Sequence, residues 1–346
     1  MSDNYYKLRD WIPMDKLNWS SLSINPNSIH LVKEQFEKEI NQHENRINWY
    51  WGSEKPDEFD LIEVPEKTDW HYLSKNPNAI DLIKHQLEKN KYKIILDMIS
   101  WEYLSENPNA IPLLEKRPEK IRWEFLSKNP NAIHLLEKNQ DKIEWHNLSE
   151  NPNAIDLIKE HPEKINWYGL SKNPNAIHLL EKNQDKIEWH NLSENPNAID
   201  LLKKHPEEIN WYKLSGNPNA IDLIKEHPEK IEWDMLSGNP NAIDLIKEQI
   251  EKEKNPNEEK RINWRELSGN PSIFTYDYDG MKEKNKSFAE HLIKTVFHPD
   301  RVFDRVKRGM EFDDVVLENY SNYILPHGKD IMMIDQKPTL APYEVF

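Results

Sequence analysis

The chain has 346 residues, with 46 Lys and Arg against 61 Asp and Glu for a formal charge of −15, and it has no cysteine. That charge argues against a sequence-independent grip on phosphate backbones, and the missing thiols exclude disulfides, thiolate zinc sites and a cysteine nucleophile. A mean hydropathy of −0.92 would by itself suggest disorder, but 13 Trp predict a packed structure with a narrow apolar spine and a large wetted surface.

The N-terminus, Met1-Ser-Asp-Asn-Tyr-Tyr, has neither the basic nor the apolar region of a secretory signal. No stretch approaches the ~18 apolar residues of a membrane span. The expectation is a soluble, intracellular protein. Residues 1–18, with Trp11-Ile12-Pro13, read as an N-terminal cap.

A repeat begins at Trp19. Its signature recurs at Trp70 and then every 22 residues at Trp101, Trp123, Trp145, Trp167, Trp189, Trp211 and Trp233, with a last copy at Trp264. Each Trp is followed three residues later by Leu-Ser and six residues later by Asn-Pro, and most copies continue Asn-Ala-Ile. The spacings after Trp19, Trp70 and Trp233 are longer, at 51, 31 and 31 residues, and each surplus falls after the Asn-Pro segment. Arg46-Ile-Asn-Trp49-Tyr-Trp51 reads as a decayed eleventh copy. Residues 126–157 recur unchanged at 170–201, the mark of a duplicated two-module block.

One module predicts two helices. Asn151-Pro152 supplies an N-cap acceptor and a first residue with φ already set, and Ala154, Ile155, Leu157 and Ile158 form a one-sided apolar stripe. That helix should stop at His161-Pro162. The other helix, starting at Trp167 and carrying Leu170 one turn later, is too short to stand alone. It must be held by its neighbours, so stacking is obligatory. The seven regularly spaced tryptophans, Trp101 to Trp233, are the predicted structural core.

The fold class is therefore all-α: an α-solenoid of about ten stacked two-helix repeats over 19–273, with the N-terminal cap and a C-terminal helical cap over 274–316. At a helix spacing of ~8–10 Å it would be a curved rod on the order of 80–100 Å long. Phe288, Leu292, Ile293, Val296 and Phe297 make the C-terminal cap's stripe, and 317–346, with Pro326, Gly328, Pro338 and Pro342, reads as an irregular or disordered tail.

The units Ile-x-Trp-x-x-Leu-Ser-x-Asn-Pro-Asn-Ala-Ile, with the ending Asn270-Pro-Ser-Ile-Phe-Thr-Tyr-Asp-Tyr-Asp and Phe297-His-Pro-x-Arg301, resemble the short Trp/Asn-Pro repeat proteins that giant nucleocytoplasmic DNA viruses encode in many copies. The resemblance runs from about Trp11 to Arg301. It implies a viral origin and a solenoid, and it implies no biochemical activity.

The recurring polar residues suggest no catalysis and no cofactor. Equivalent His positions, such as His146 and His190, belong to different modules ~10 Å or more apart, too far to share an ion bound at about 2.0–2.1 Å. Phe297-His298-Pro299-Asp300-Arg301 contains the tripeptide of J-domain co-chaperones but reads better as part of the C-terminal cap. Asp156, Asp200, Asp222 and Asp244 share one module position and read as a solvated face. Ser105, Ser127, Ser149 and Ser171 read as helix-end residues rather than nucleophiles, lacking an adjacent His and acid.

What varies is the pair of residues after each Trp. There Tyr72, Tyr103 and Phe125 occupy one position in successive modules, forming either a candidate partner-binding edge of the kind aromatic hot spots supply or a cover for the inserted segments nearby. The expected function is a non-enzymatic viral scaffold that binds a host or viral protein in the infected cell's cytoplasm, with no nucleic-acid or membrane partner. A virion or assembly component, and an adaptor recruiting host machinery through its C-terminal cap or tail, are the alternatives.

Overall fold

The computed structural model describes residues 6–50, 67–89, 93–283 and 286. The predicted stripe of the C-terminal cap, the His298-Pro299-Asp300 tripeptide and the 317–346 tail lie outside them. The fold is the expected all-α repeat solenoid. Ten first helices begin at the module tryptophans, from Trp19–Ile24 in module 1 to Trp264–Gly269 in module 10.

A regular module runs first helix, Asn-Pro corner, second helix and a linker turn of 3-10 helix. In module 5 these are Trp145–Glu150, the corner at Asn151, Ile155–Glu160 and Pro162–Lys164. The second helix is short because His161-Pro162 cannot continue it. The long spacings lengthen this part of the module. The second helix covers Ile29–Tyr50 in module 1, Ile80–Lys89 in module 2 and Ile243–Lys252 in module 9, and module 2 adds the helix Lys93–Met98. The proposed eleventh copy is thereby corrected: Arg46 to Tyr50 continue the module 1 helix.

The core is assembled from small contributions, one per module. The Leu three residues after each Trp is fully buried in all ten, from Leu22 to Leu267, and the corner Ala is buried in the eight modules that carry it, for example Ala154 and Ala176, with Ser28 and Ile273 in its place in modules 1 and 10. The tryptophans are less central than the sequence suggests. Trp70 is fully buried and packs edge-on against Phe36 at 5.1 Å, whereas Trp101, Trp123, Trp145, Trp167, Trp189, Trp211 and Trp233 are half-buried and line the core's margin. The following linker covers each of several of them with a lysine: Lys142 Nζ lies 4.6 Å from the Trp123 ring, and Lys186 Nζ 4.9 Å from Trp167. His161, His205 and His227 add a second lid, packing on Trp145, Trp189 and Trp211 at 4.9, 4.7 and 5.0 Å.

Between modules the joints are polar. The buried corner Asn does two things at once. Asn151 Oδ1 accepts from Asn153 N, as a cap should, while its Nδ2 donates to Ser127 O and Asn129 O of the preceding module at 3.0 and 2.9 Å. The Ser after Leu also works twice: Ser149 Oγ donates to Trp145 O and accepts the Asn166 N–H of the next module. A third rung runs outside, where Asn153 Nδ2 donates to Pro130 O. These bonds satisfy backbone groups that ends of such short helices would otherwise leave bare.

The expectation of a rod with a free N-terminal end is corrected by the ends of the array. Asn25 of module 1 donates to Ser268 O and Asn270 O of module 10 at 3.0 and 2.9 Å, and Asn18 N donates to Ser268 Oγ. The first and last first helices, Trp19–Ile24 and Trp264–Gly269, pack on each other as neighbours do. The array over residues 6–276 is a closed ring.

The N-terminal segment completes module 10 instead of capping a free end. Met14–Lys16 is a 3-10 turn like the linkers, and Lys16 Nζ sits 4.9 Å from the Trp264 ring. In module 10 the corner is not followed directly by a second helix. In its place strand β2, Phe274–Tyr276, pairs antiparallel with β1, Tyr6–Leu8, in the register Tyr6↔Tyr276, Lys7↔Thr275 and Leu8↔Phe274. Arg9 fastens the join through its N–H to Ile273 O and its Nε to Ser272 O.

In a ring, equivalent atoms of neighbouring modules lie closer together the nearer they are to the axis. The first helices and hydrogen-bonded corners, which touch their counterparts directly, therefore make the inner layer. The second helices, splayed further apart, make the outer one.

Candidate functional site

The two residues after each Trp sit on the first helix beside the buried Leu. In modules 5 to 7 the second of them faces the preceding module's backbone, which explains part of what the sequence left as variation. In module 5 the Asn147 Nδ2 donates to Glu124 O at 2.9 Å, and in module 7 Asn191 donates to Tyr168 O. In module 6 the residue is Gly169, where a Cβ would lie 2.7 Å from His146 O. These three are buried and structural.

Modules 2 to 4 fill the same position with rings. Tyr72 and Tyr103 stack at 6.2 Å with their planes 21° apart, and His71 packs on Tyr103 at 4.8 Å. Lys75 Nζ lies 5.5 Å from the Tyr103 ring and pairs with Glu106 at 3.6 Å. All three predicted edge residues, Tyr72, Tyr103 and Phe125, are half-buried. Burial, with the neighbouring Tyr72, Glu106 and Asp69, raises the Tyr103 hydroxyl above its ordinary pKa. Alongside, Glu102 is held below the usual carboxylate range by its own backbone N–H, the Ser100 hydroxyl and Arg122, against a smaller opposing effect of burial.

Two exposed aromatics on this edge escaped the sequence reading. Tyr168 and Tyr212, each 47% exposed, stand at the first position after Trp167 and Trp211. Tyr168 stacks on His146 at 5.7 Å, and Lys172 lies over its ring. Reading the two variable positions separately would have found them, because the first is solvent-facing in most modules while the second meets backbone in modules 5 to 7.

A second feature lies where the corners of modules 1 to 3 meet the second helices of modules 1 and 2. A groove of about 600 Å³ crosses the Pro-Asn corners of three modules at Asn27, Asn78 and Asn109 and is flanked by residues of the two long second helices. His30, at its margin, packs edge-on against Phe274 at 5.7 Å with its Nδ1 buried and unbonded, and burial lowers its pKa from 6.5.

Among the described residues no helix is long and apolar enough to cross a membrane, and no group of three or more His, Asp or Glu is gathered as a ligand set. Fold and surfaces together define a closed α-solenoid, a repeat protein that presents an aromatic edge and a groove. Comparison with models of known protein families, with curated proteins and with solved structures returns no match.

Proposed function

We propose that the chain is a non-enzymatic interaction scaffold whose ring holds a protein partner against the first-helix edge. One observation carries this reading: rings outside the core, His71, Tyr72, Tyr103, Phe125, Tyr168 and Tyr212, recur along one edge from module 2 to module 8. Aromatic side chains fixed on a rigid frame lose little entropy on binding and are favoured hot spots. The resemblance of the Trp/Leu-Ser/Asn-Pro signature to giant-virus repeat proteins supports reading the partner as a host or viral protein in an infected cell, and the charge of −15 argues against a nucleic-acid partner.

The test places a photo-crosslinking amino acid at Tyr103 or Tyr212 and, as a control, at Asp156 on the second helix. The same protein adduct is expected at both edge sites and not at Asp156. Adducts at Asp156 alone overturn the edge. Replacing Tyr72, Tyr103 and Phe125 together by Ser should abolish the adduct at Tyr212 while lowering stability by about 1–3 kcal/mol, the cost of losing half-buried rings and one stack. Stoichiometric recovery of the chain in purified virions would instead favour a structural role.

A further inference from the structure

We propose that the groove over modules 1 to 3 binds an extended peptide carrying basic side chains, chiefly through the peptide's backbone. The proposal concerns a surface separate from the aromatic edge and does not depend on it.

The groove is built from the same module positions taken from consecutive modules. Pro26 and Pro77, Asn27, Asn78 and Asn109, Ile29 and Ile80 all line it. A site that repeats at constant spacing fits a ligand that repeats. Neighbouring Pro-Asn corners approach within 8 Å between Cα atoms, and an extended chain places every second residue about 6.6–6.8 Å along. One module per two peptide residues is the natural register.

The chemistry of the floor is specific. Each Asn amide is held by its nitrogen: Asn27 Nδ2 donates to Pro271 O at 3.1 Å, Asn78 to Pro26 O at 2.9 Å and Asn109 to Pro77 O at 3.0 Å. Their Oδ1 atoms accept no hydrogen bond from the described residues, and Asn78 and Asn109 are exposed. Three carbonyl oxygens are thus fixed in orientation before any ligand arrives, so a backbone N–H can be accepted without ordering the side chain. Of the charged lining, Glu34 is already paired with Lys38 Nζ at 2.9 Å; Glu37 and Asp81, one from each long second helix, stand beside Lys33 and Lys84 and are the carboxylates left for a ligand within a chain of −15. Basic side chains on the peptide complement them. Glu37 comes from the extra turns of the module 1 helix, so the insertion after the first Asn-Pro contributes directly to the site.

The test uses the full chain and a fluorescein-labelled Lys-Val-Lys-Val-Lys-Val-Lys peptide, read by anisotropy. Two further copies are N-methylated at all valine or all lysine amides, and a Glu-Val counterpart reverses the charge. The unmethylated basic peptide should bind, one methylated copy should bind at least tenfold more weakly, and the acidic one should bind more weakly still. Asn78→Ala with Asn109→Ala should weaken binding at least tenfold. Asn175→Ala with Asn197→Ala, which removes the same rungs elsewhere in the ring, should leave it unchanged, as should serine at Tyr72, Tyr103 and Phe125. Equal loss in both asparagine pairs, equal binding of both methylated copies, or no signal at roughly 1 mM chain, the weak limit of specific contact, overturns the proposal.

Discussion

The joint between modules 10 and 1 and the joint between modules 4 and 5 are made of the same bonds. At the first, Asn25 reaches residues 243 and 245 positions away; at the second, Asn151 reaches residues 24 and 22 positions away. The bond lengths agree, at 3.0 and 2.9 Å in both. What differs is the loop that must close. Loop entropy grows only with the logarithm of length, so the seam costs at most about 2 kcal/mol more than an interior joint. The contacts peculiar to the seam offset this: the β1–β2 pair, the two Arg9 bonds, and the Tyr6 and Tyr276 rings stacked at 4.9 Å. A joint assembled by chain order needs only the repeat, whereas a joint assembled across the whole chain carries added fastening.

Covalent locking of the seam gives the largest expected effect. Lys7 and Thr275 are directly opposite in the strand pair, and the chain has no other cysteine to compete. Lys7→Cys with Thr275→Cys should oxidise within one molecule and raise stability by roughly 5 kcal/mol in the chain-entropy picture. Faster migration on a non-reducing gel and a higher urea midpoint would report it. An open array would leave both thiols free.

Next come paired substitutions in the ladder. Asn151→Ala removes a cap and strips two carbonyls of a buried donor, and should cost roughly 3 kcal/mol. Asn25→Ala should cost the same if the seam is closed in solution. A loss at Asn25 of only ~1 kcal/mol, the value of a lone cap, would break the comparison.

Glycines sharpen it further. Gly169→Ala would press a methyl against His146 O at an interior joint and should destabilise by about 1–3 kcal/mol. At the seam, the Cβ of Gly269→Ala would find Ser21 O at 3.9 Å, an ordinary contact. There the same change should stabilise by up to ~1 kcal/mol through helix propensity. Thermal melts of the two variants should move in opposite directions.

The smallest effect is a pH dependence at His30, which touches Phe274 across the seam. Burial lowers its pKa from 6.5, so the unfolded chain takes up the proton first as pH falls. Its contribution to stability is full above the ordinary histidine range, is lost as pH falls through that range, and levels off below the folded pKa. Comparing urea midpoints at about pH 7.5 and 5.5, the drop should be smaller in His30→Gln than in the parent.

The modules themselves were legible because ten copies average out local ambiguity, and the short first helix announced its need for neighbours. Closure was harder to read, since it depends on a small rotation per module that no single repeat encodes. One clue was available: Lys16-Leu-Asn-Trp19 matches Lys164-Ile-Asn-Trp167, so the chain starts with a linker turn that its last module lacks. The ladder was hidden because an Asn before Pro is fully explained as a cap; its Nδ2 has no signature of its own. The tryptophans were over-read as core because large apolar rings usually are, while here lysine stems and imidazoles form their outer cover. On the candidate edge the position of Tyr72, Tyr103 and Phe125 was readable, but its dual use was not. The same position is a ring in modules 2 to 4 and a backbone clasp in modules 5 to 7.

A ring must count its units, and a rod need not. In an open array a copy can be gained or lost by unequal recombination with little consequence beyond length. Here each module turns the chain by a tenth of a circle, so the identical blocks at 126–157 and 170–201 are a genetic hazard. Recombination between them would excise two modules, leave eight, and ask every remaining joint to bend further before Lys16 could find Trp264. Copy number in this protein is thus a heritable dimension, held constant by geometry even while individual repeats are free to be copied over one another.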